Sequence, residues 1–227
     1  MYTIALAEDH APTLKRFANY FKGLQEYDTV VEAVNGHDLI LKMNSLQQIP
    51  DVVLIDINMP IMDGVALTYY LRVHYPDIKL IGFSNYFDEN SLKDMLLSGA
   101  DGFVMKALAE TVLQKAVETV MSNKIFIDDR MEIDQQKVKF ILQTKKERIK
   151  KKENQFDLTD RERTFLILNA TVLTYGQIAV VMIVEHKTIQ TYCDRVSKKL
   201  NLNGRQALTL FALQNGLAAL ANYKYTN

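Results

Sequence analysis

The sequence predicts two parts of different fold class: an α/β doubly wound domain with a five-stranded parallel sheet, of the flavodoxin-like kind, and then a small all-α domain. Two observations support this prediction. In the first half, short apolar runs alternate with segments of helical period, which is typical of a parallel sheet covered by helices. Charge also divides the chain, since residues 1–127 sum to −6 and residues 128–227 to +6, so the basic half is the candidate for binding a polyanion.

The first half contains five strand-then-helix units. The predicted strands are 3–7, 30–33, 52–55, 80–83 and 102–105, and the helical patterns follow them at 11–22, 39–43, 65–73, 92–97 and 112–121. The run 52–55 has four apolar residues in succession, which indicates a strand buried on both faces in the middle of the sheet. Met59-Pro60 and Asp63-Gly64 then predict a sharp turn before the next helix.

Polar residues follow four of the predicted strands. They are Glu8 and Asp9, Asp56, Ser84 and Lys106. Because the carboxyl ends of parallel strands meet at one edge of the sheet, we expect these side chains to converge there. Three neighbouring carboxylates need a cation, and an oxygen-only ligand set favours a partly hydrated Mg²⁺. Ser84 and Lys106 would face an anion beside the metal, which indicates phosphoryl chemistry.

This set, with Asp56 inside the motif D-x-x-M-P-x-x-D-G, resembles the receiver domain of bacterial two-component response regulators over residues 1–125. The resemblance implies that the Asp56 carboxylate accepts a phosphoryl group from a sensor histidine kinase. It also implies roles for the surrounding residues: Mg²⁺ ligation by Glu8, Asp9, Asp56 and the backbone carbonyl of Asn58, phosphoryl binding by Ser84 and Lys106, and an aromatic switch at Phe103.

Structural alternatives stand beside these roles. An aspartate after a buried strand often only caps a helix or a turn, and an aromatic residue on a fifth strand is ordinarily part of the core. The sequence also departs from the family pattern at two positions. Asn85 follows Ser84 where a small residue is usual. Ala107 follows Lys106 where proline is common, so we expect the loop after the fifth strand to lack a cis peptide.

Residues 126–156 are predicted to form a charged, helical linker. Six of the eight residues from Lys145 to Lys152 are basic, and this stretch contains no proline or glycine. Two interpretations stay open for this stretch: non-specific attraction to DNA phosphates, or a solvated connector.

Residues 157–227 predict a helical domain with a helix-turn-helix. Thr159 and Glu162 have the spacing of a capping box, which marks a helix start. A second short helix is predicted over 177–182, a turn over 184–186, and a third helix over 187–200, with a last amphipathic helix from residue 205. Apolar positions in the third helix repeat every three or four residues and include Cys193, which we expect in the core. Its opposite face is polar and mostly basic, as entry into a major groove requires.

Residues 158–202 resemble the LuxR/NarL-type DNA-binding domain through the pattern L-T-x-R-E…I-A…K-T-[VI]…K-K-L. The resemblance implies pairing of two subunits through the last helix. It further implies DNA contacts from the third helix, by Lys187, Thr188, Gln190, Thr191, Asp194, Arg195, Lys198 and Lys199. Four residues depart from the family pattern, namely Val172, Gln177, Glu185 and Tyr192.

Taken together, the sequence predicts a transcriptional regulator whose dimerisation and DNA binding are switched by phosphorylation of Asp56. The expected partners are DNA, a sensor histidine kinase and a second copy of the chain. We expect no classical enzyme, although the receiver would catalyse its own phosphotransfer and dephosphorylation. The alternative is a constitutive regulator whose receiver-like domain only dimerises. A Mg²⁺-dependent phosphohydrolase is disfavoured, because Asn58 stands where such enzymes place an acid-base aspartate.

Composition sets the expected compartment. A single cysteine excludes an intramolecular disulfide. No apolar run approaches the roughly 20 residues that a membrane-spanning helix needs, and no signal-peptide pattern opens the chain. We therefore expect a cytoplasmic protein without membrane association. The four histidines show no metal-ligand spacing, and we expect them at the surface.

Overall fold

The computed structural model describes residues 1–85, 88–131, 133–152, 156–215 and 217 of this 227-residue chain. Its first part is a parallel sheet in the order β2-β1-β3-β4-β5-β6. The strands are β1 (Tyr2–Ala7), β2 (Tyr27–Ala33), β3 (Val52–Asp56), β4 (Lys79–Ser84), β5 (Gly102–Met105) and β6 (Phe126–Ile127). The order reverses between β1 and β3, and doubly wound sheets bind ligands in the crevice at that point.

Helices cover both faces of the sheet and then form the second part of the chain. In the first part they are α1 (Ala11–Lys22), α2 (Gly36–Met43), α3 (Gly64–His74), α4 (Glu89–Ser98) and α5 (Leu113–Met121), with a 3-10 turn at Ala109–Thr111. The later helices are α6 (Gln135–Lys152), α7 (Asp160–Asn169), α8 (Tyr175–Met182), α9 (His186–Leu200) and α10 (Gly204–Gln214). The predicted fold class is confirmed.

The prediction of five strands was wrong by one. The sixth strand, β6, lies in the segment that the sequence assigned to the linker, and it pairs in parallel with β5. It is only two residues long, which is too short to show an alternation of apolar and polar side chains. The backbone N–H of Phe126 donates to the carbonyl of Asp101 at 3.0 Å. The helix predicted for the linker is present as α6.

Two apolar cores lie on the two faces of the sheet. All five residues of β3 are buried. The apolar run predicted this for the first four, and Asp56 is buried as well. One core contains Phe17 and Phe21 from α1 and Phe83 from β4. The other core contains residues of α2, α3 and α4 and continues into the helical part of the chain. The two parts of the chain therefore share one apolar core along α3.

Local sequence signals set the helix starts of the second part. Thr159 and Glu162 form the predicted capping box at the start of α7. Thr174 and Gln177 form a second capping box, which starts α8. Cys193 is buried on α9, as expected from the helical period.

The contact between α3 and α7 joins the two parts. His74, at the end of α3, lies 2.9 Å from the Thr164 hydroxyl of α7, and its ring packs 4.3 Å from that of Tyr70. Because the Thr164 hydroxyl donates to the carbonyl of Asp160, the imidazole is the donor in the bond to Thr164. The expectation of a surface position holds for His10 and His186 but was wrong for His37 and His74, which are partly buried; His74 lies between the two parts.

We expect Gly64→Ala to destabilise the protein by roughly 2–3 kcal/mol, because its Cβ would overlap the backbone. A Cβ at this position would lie 2.3 Å from the carbonyl oxygen of Asp56. Gly176→Ala is the matched control, since its Cβ meets only Thr174 Oγ1 at 3.9 Å, and we expect a change of less than about 1 kcal/mol in the stabilising direction. Urea unfolding of the full chain measures both. Equal effects of the two substitutions would contradict the packing described for α3.

We expect acidification to weaken the α3–α7 contact. Burial, with the charge of Arg161 beside it, lowers the pKa of His74 below its ordinary value of 6.5, and Asp160 opposes this weakly. As the pH falls, the imidazole therefore binds a proton more readily when His74 is released from α7 than when it is in contact with α7. The contact is intact above pH 6.5 and weakens as the pH falls below that value.

Hydrogen exchange of the α7 amides at pH 7.5 and 5.5, corrected for the intrinsic rate at each pH, measures the change. His74→Gln is the control, because its amide donates to Thr164 but does not titrate. Protection of α7 that falls equally in both proteins would show that another group is responsible.

Candidate functional site

A buried ion-pair cluster lies at the carboxyl ends of β1, β3 and β5. Lys106 Nζ lies 2.6 Å from Glu8 Oε2 and 2.9 Å from Asp56 Oδ2. All three side chains are almost fully buried. They come from positions far apart in the sequence, and the parallel topology brings them together as predicted. An ammonium group between two carboxylates compensates charges that would otherwise be costly to bury.

The charge state of Asp56 depends on this cluster. The pKa of Asp56 is raised to about 7, and burial is the main cause; the Glu8 carboxylate also raises this pKa, and the Lys106 ammonium lowers it. The Asn58 backbone N–H, 3.4 Å from Asp56 Oδ1, adds a weak hydrogen bond. A further cation beside Asp56 would favour its ionised form.

The two carboxylates of this cluster, together with that of Asp9, fit a divalent cation. Ligand oxygens of Glu8, Asp9 and Asp56 lie within 4.8 Å of one another. Asp9 is exposed, whereas Glu8 and Asp56 are buried, so an ion held here would keep part of its water shell. Hard oxygen ligands, with no histidine or cysteine among them, suit Mg²⁺.

Ser84 and Phe103 lie beside the cluster on β4 and β5. Ser84 ends β4, is buried, and accepts the Lys106 backbone N–H at its carbonyl at 2.7 Å. Phe103 is completely buried, and a Cβ on Gly82 would approach its ring to 3.1 Å. Phe103 therefore packs in the core of this structure, and its role as an aromatic switch stays a prediction.

The loop after β5 carries Lys106 with a trans peptide to Ala107, since none of the peptide bonds in the described ranges is cis. The expectation from the missing proline is confirmed. Leu108 has a left-handed conformation, with φ of 53°. Asn85, directly after Ser84, is exposed.

The second candidate site is the outer face of α9. Of the predicted DNA-contacting side chains, Thr188 is partly exposed and the other seven are exposed. The exposed side chains are Lys187, Gln190, Thr191, Asp194, Arg195, Lys198 and Lys199. The opposite face buries Ile189, Cys193 and Val196. A polar face of this width on the second helix of a helix-turn-helix can lie in a major groove.

Several of these side chains already have partners within the protein. Lys199 pairs with Glu162 at 2.9 Å and donates to the carbonyl of Asp157. Burial alone would raise the pKa of Glu162, but hydrogen bonds from Lys199 and Thr159 lower it below its ordinary value. Gln190 donates to Asp194 at 2.9 Å. Lys199 thus ties α9 to the start of α7.

The turn before α9 is strained. Ile183 has φ of 55°, a conformation that a β-branched residue rarely adopts, and its side chain is 76% exposed. Glu185, in the position of the usual serine cap, makes no side-chain cap and pairs with Lys187 at 2.7 Å.

Sequence reasoning missed three groups that support the sites. They are Arg16, Asp128 and Arg130, which hold the loop that carries Lys106. Each bond joins residues more than 20 positions apart or lies in irregular chain, so no periodic pattern or spacing marks it.

Among the helices that the structure describes, none is long and apolar enough to cross a bilayer.

Comparison with family models agrees with this geometry. The response regulator receiver domain matches residues 4–118, which is half of the chain, and the model of bacterial regulatory proteins of the luxR family matches residues 157–212. The chain is a response regulator of the LuxR/NarL type. It is therefore a DNA-binding transcription factor of a two-component system and not a classical enzyme, as the sequence predicted.

Relatives of this response regulator match almost the full length. VraR of Staphylococcus saprophyticus, a response regulator protein, is 25% identical over 215 residues, with 94% of this chain and 97% of the relative covered. The DNA-binding transcriptional activator DevR/DosR of Mycobacterium tuberculosis is 27% identical, with 94% and 95% covered.

Solved structures share the fold of this response regulator. The RcsB response regulator of Salmonella typhimurium has a TM-score of 0.53 at 22% identity, with 93% of this chain and 98% of the other covered. A structure of two RcsB dimers bound to two parallel DNAs has a TM-score of 0.52 at 23% identity, with 92% and 96% covered.

Proposed function

We propose that this response regulator is switched by phosphorylation of Asp56 and that the switch changes its pairing and its DNA binding. The observation that carries the proposal is the buried Glu8–Lys106–Asp56 cluster at the point where the sheet reverses its order. A carboxylate held there beside a lysine and a candidate metal site has the surroundings that phosphoryl transfer needs. In this scheme residues 1–125 form the receiver, 126–156 the linker and 157–227 the DNA-binding domain.

In the proposed transfer, an Asp56 carboxylate oxygen attacks the phosphorus of a phosphohistidine on a sensor histidine kinase. The new P–O bond gives an acyl phosphate, the P–N bond breaks, and the kinase imidazole keeps the electron pair and takes up a proton. The residues that would hold Mg²⁺ are Glu8, Asp9, Asp56 and the backbone carbonyl of Asn58. Bound there, the ion would neutralise charge on the phosphoryl oxygens.

Lys106 lies where it can bind a phosphoryl group attached to Asp56. Its ammonium already lies 2.9 Å from Asp56 Oδ2, so it can bind a phosphoryl oxygen after a small movement, leaving Glu8 free for the metal. We propose that the Ser84 hydroxyl donates a second hydrogen bond to the phosphoryl group and that Phe103 responds as the aromatic switch. The added charge then favours the conformation in which both donors reach it.

We propose that α3 carries the change to the DNA-binding domain. Its first residue packs against the chain that bears Asp56, because the Gly64 N–H donates to the carbonyl of Ile57 at 2.9 Å. Its last residue, His74, contacts α7. A shift at the phosphorylated end can therefore release or realign the helical domain.

We propose that DNA is read by α9 and that two subunits pair through α10. Gln190 can pair with adenine, and Asp194 can accept from cytosine. The remaining contacts come from Lys187, Thr188, Thr191, Arg195, Lys198 and Lys199, and Lys199 would have to leave its pair with Glu162 to reach a phosphate. Leu210 on α10 is 55% exposed, which supports pairing there, and the RcsB neighbour is described as dimers on DNA.

We expect the full chain to take up one acid-labile phosphoryl group per molecule from ³²P-labelled acetyl phosphate with Mg²⁺, and Asp56→Asn to take up none. Asp63→Asn is the matched control. Asp63 is a buried carboxylate of the same motif, but it caps α3 through the Ala66 N–H at 2.9 Å, and asparagine keeps that cap. This control should be labelled like the wild type.

Label that persists in Asp56→Asn, or no label in the wild type, would overturn the phosphoacceptor assignment. The switch is tested by measuring association and DNA affinity with and without beryllofluoride and Mg²⁺. If neither changes, the constitutive regulator with a receiver used only for pairing is the better description.

A further inference from the structure

An arginine outside the receiver's strand-end residues holds the loop that carries Lys106. Arg130 follows β6, and its Nε donates to Asp128 Oδ1 at 2.8 Å, while its Nη2 also pairs with Asp128 Oδ2. The same guanidinium donates to the carbonyls of Met105, at 3.2 Å, and Ala107. These are the residues on either side of Lys106.

Asp128 fixes the arginine to β5. Its side chain is completely buried and accepts the Met105 backbone N–H at 3.2 Å, and its own N–H donates to the carbonyl of Phe103 at 3.1 Å. Hydrogen bonds to the Asp128 carboxylate hold its pKa below the ordinary value although burial opposes this. Asp128 is thus an ionised anchor that orients the Arg130 fork.

A second arginine binds the backbone carbonyl of Lys106, which lies between the carbonyls of Met105 and Ala107. Arg16 of α1 donates to the carbonyl of Lys106 at 2.9 Å and pairs with Glu110 at 3.0 Å. Three consecutive carbonyls, at 105, 106 and 107, therefore accept from arginine side chains. Alanine at position 107 leaves φ free where a proline ring would restrict it, so the conformation of this loop depends on such side-chain bonds.

We propose that Arg130 is a positioning residue for Lys106: it fixes the two flanking carbonyls and thereby directs the ammonium towards the phosphoryl group on Asp56. The proposal rests on the proposed function, since it concerns the same site. Within the described residues, the hydrogen bonds of the Arg130 guanidinium go to Asp128 and to the carbonyls of Met105 and Ala107, so it acts on Lys106 through the backbone of the loop. Because Arg130 belongs to the linker, between β6 and α6, its bonds also connect this loop to the linker.

The test separates phosphoryl binding from metal binding in the full chain. Beryllofluoride affinity at saturating Mg²⁺ is measured by ¹⁹F NMR, and Mg²⁺ affinity is measured alone. We expect Arg130→Ala to weaken beryllofluoride binding about fivefold or more, the effect of losing at least one hydrogen bond, without weakening Mg²⁺ binding. Arg130→Lys should lose most of the same affinity, because lysine keeps the charge but cannot fork between two carbonyls.

Arg72→Ala is the matched control. Arg72 also pairs with an aspartate, Asp101, at 2.6 Å and holds the carbonyls of Gly99 and Ile78, but at the opposite end of β5. The Arg72→Ala substitution should leave beryllofluoride affinity unchanged even if it lowers the melting temperature of the protein.

Three outcomes would overturn the proposal. They are wild-type beryllofluoride affinity in Arg130→Ala, a parallel loss of Mg²⁺ and beryllofluoride affinity, and wild-type affinity in Arg130→Lys, which would indicate charge instead of positioning. Wild-type protein that binds no beryllofluoride would instead refute the proposed function itself, and the positioning role with it.

Discussion

Two carboxylates buried at one edge of the sheet require a positive charge between them, and much of the structure serves that requirement. Glu8 and Asp56 are almost without solvent contact, and Lys106 lies within 3 Å of both. Removing one partner from such a buried pair typically costs about 3–5 kcal/mol, because the remaining charge is left without compensation. In this structure the lysine is the cation of the cluster, and the carboxylate oxygens also suit a metal ion.

The elements around the cluster also connect it to the rest of the chain. The chain bearing Asp56 packs against the start of α3, and α3 ends in contact with α7. On the other side of the cluster, the loop bearing Lys106 is held by Arg16 from α1 and by Arg130 from the chain that leads into α6. The elements around Asp56 and Lys106 therefore connect the cluster to the helical domain, as the proposed switch requires.

The sequence predicted the elements whose side chains show a clear period or a cap. Helix α1 lies at its predicted bounds, and Thr159 with Glu162 caps α7 as expected. Strand β2 begins three residues earlier than predicted, because its start is a mixed polar stretch that pairs with β1. Strand β6 is too short to carry a period, so sequence reasoning missed it.

The sequence predicted which residues lie at the candidate site, but it did not predict which of them form ion pairs. Parallel strand ends placed Glu8, Asp56 and Lys106 at one edge, yet nothing local shows that Lys106 bridges the other two. Two further interactions also join residues that are distant in the sequence: His74 with Thr164, and Arg130 with the carbonyls of Met105 and Ala107. Neither interaction can be seen in residue spacing or composition.

The most direct test of the central claim is the effect of Mg²⁺ on the stability of Lys106→Met. Without the ammonium, Glu8 and Asp56 lack their cation, so we expect a large loss of stability that Mg²⁺ partly restores, and more than it stabilises the wild type. Thermal unfolding with MgCl₂, against NaCl of equal ionic strength, measures this. A melting temperature of Lys106→Met that is the same in both salts would contradict the account, because the carboxylates would then bind no metal at this site.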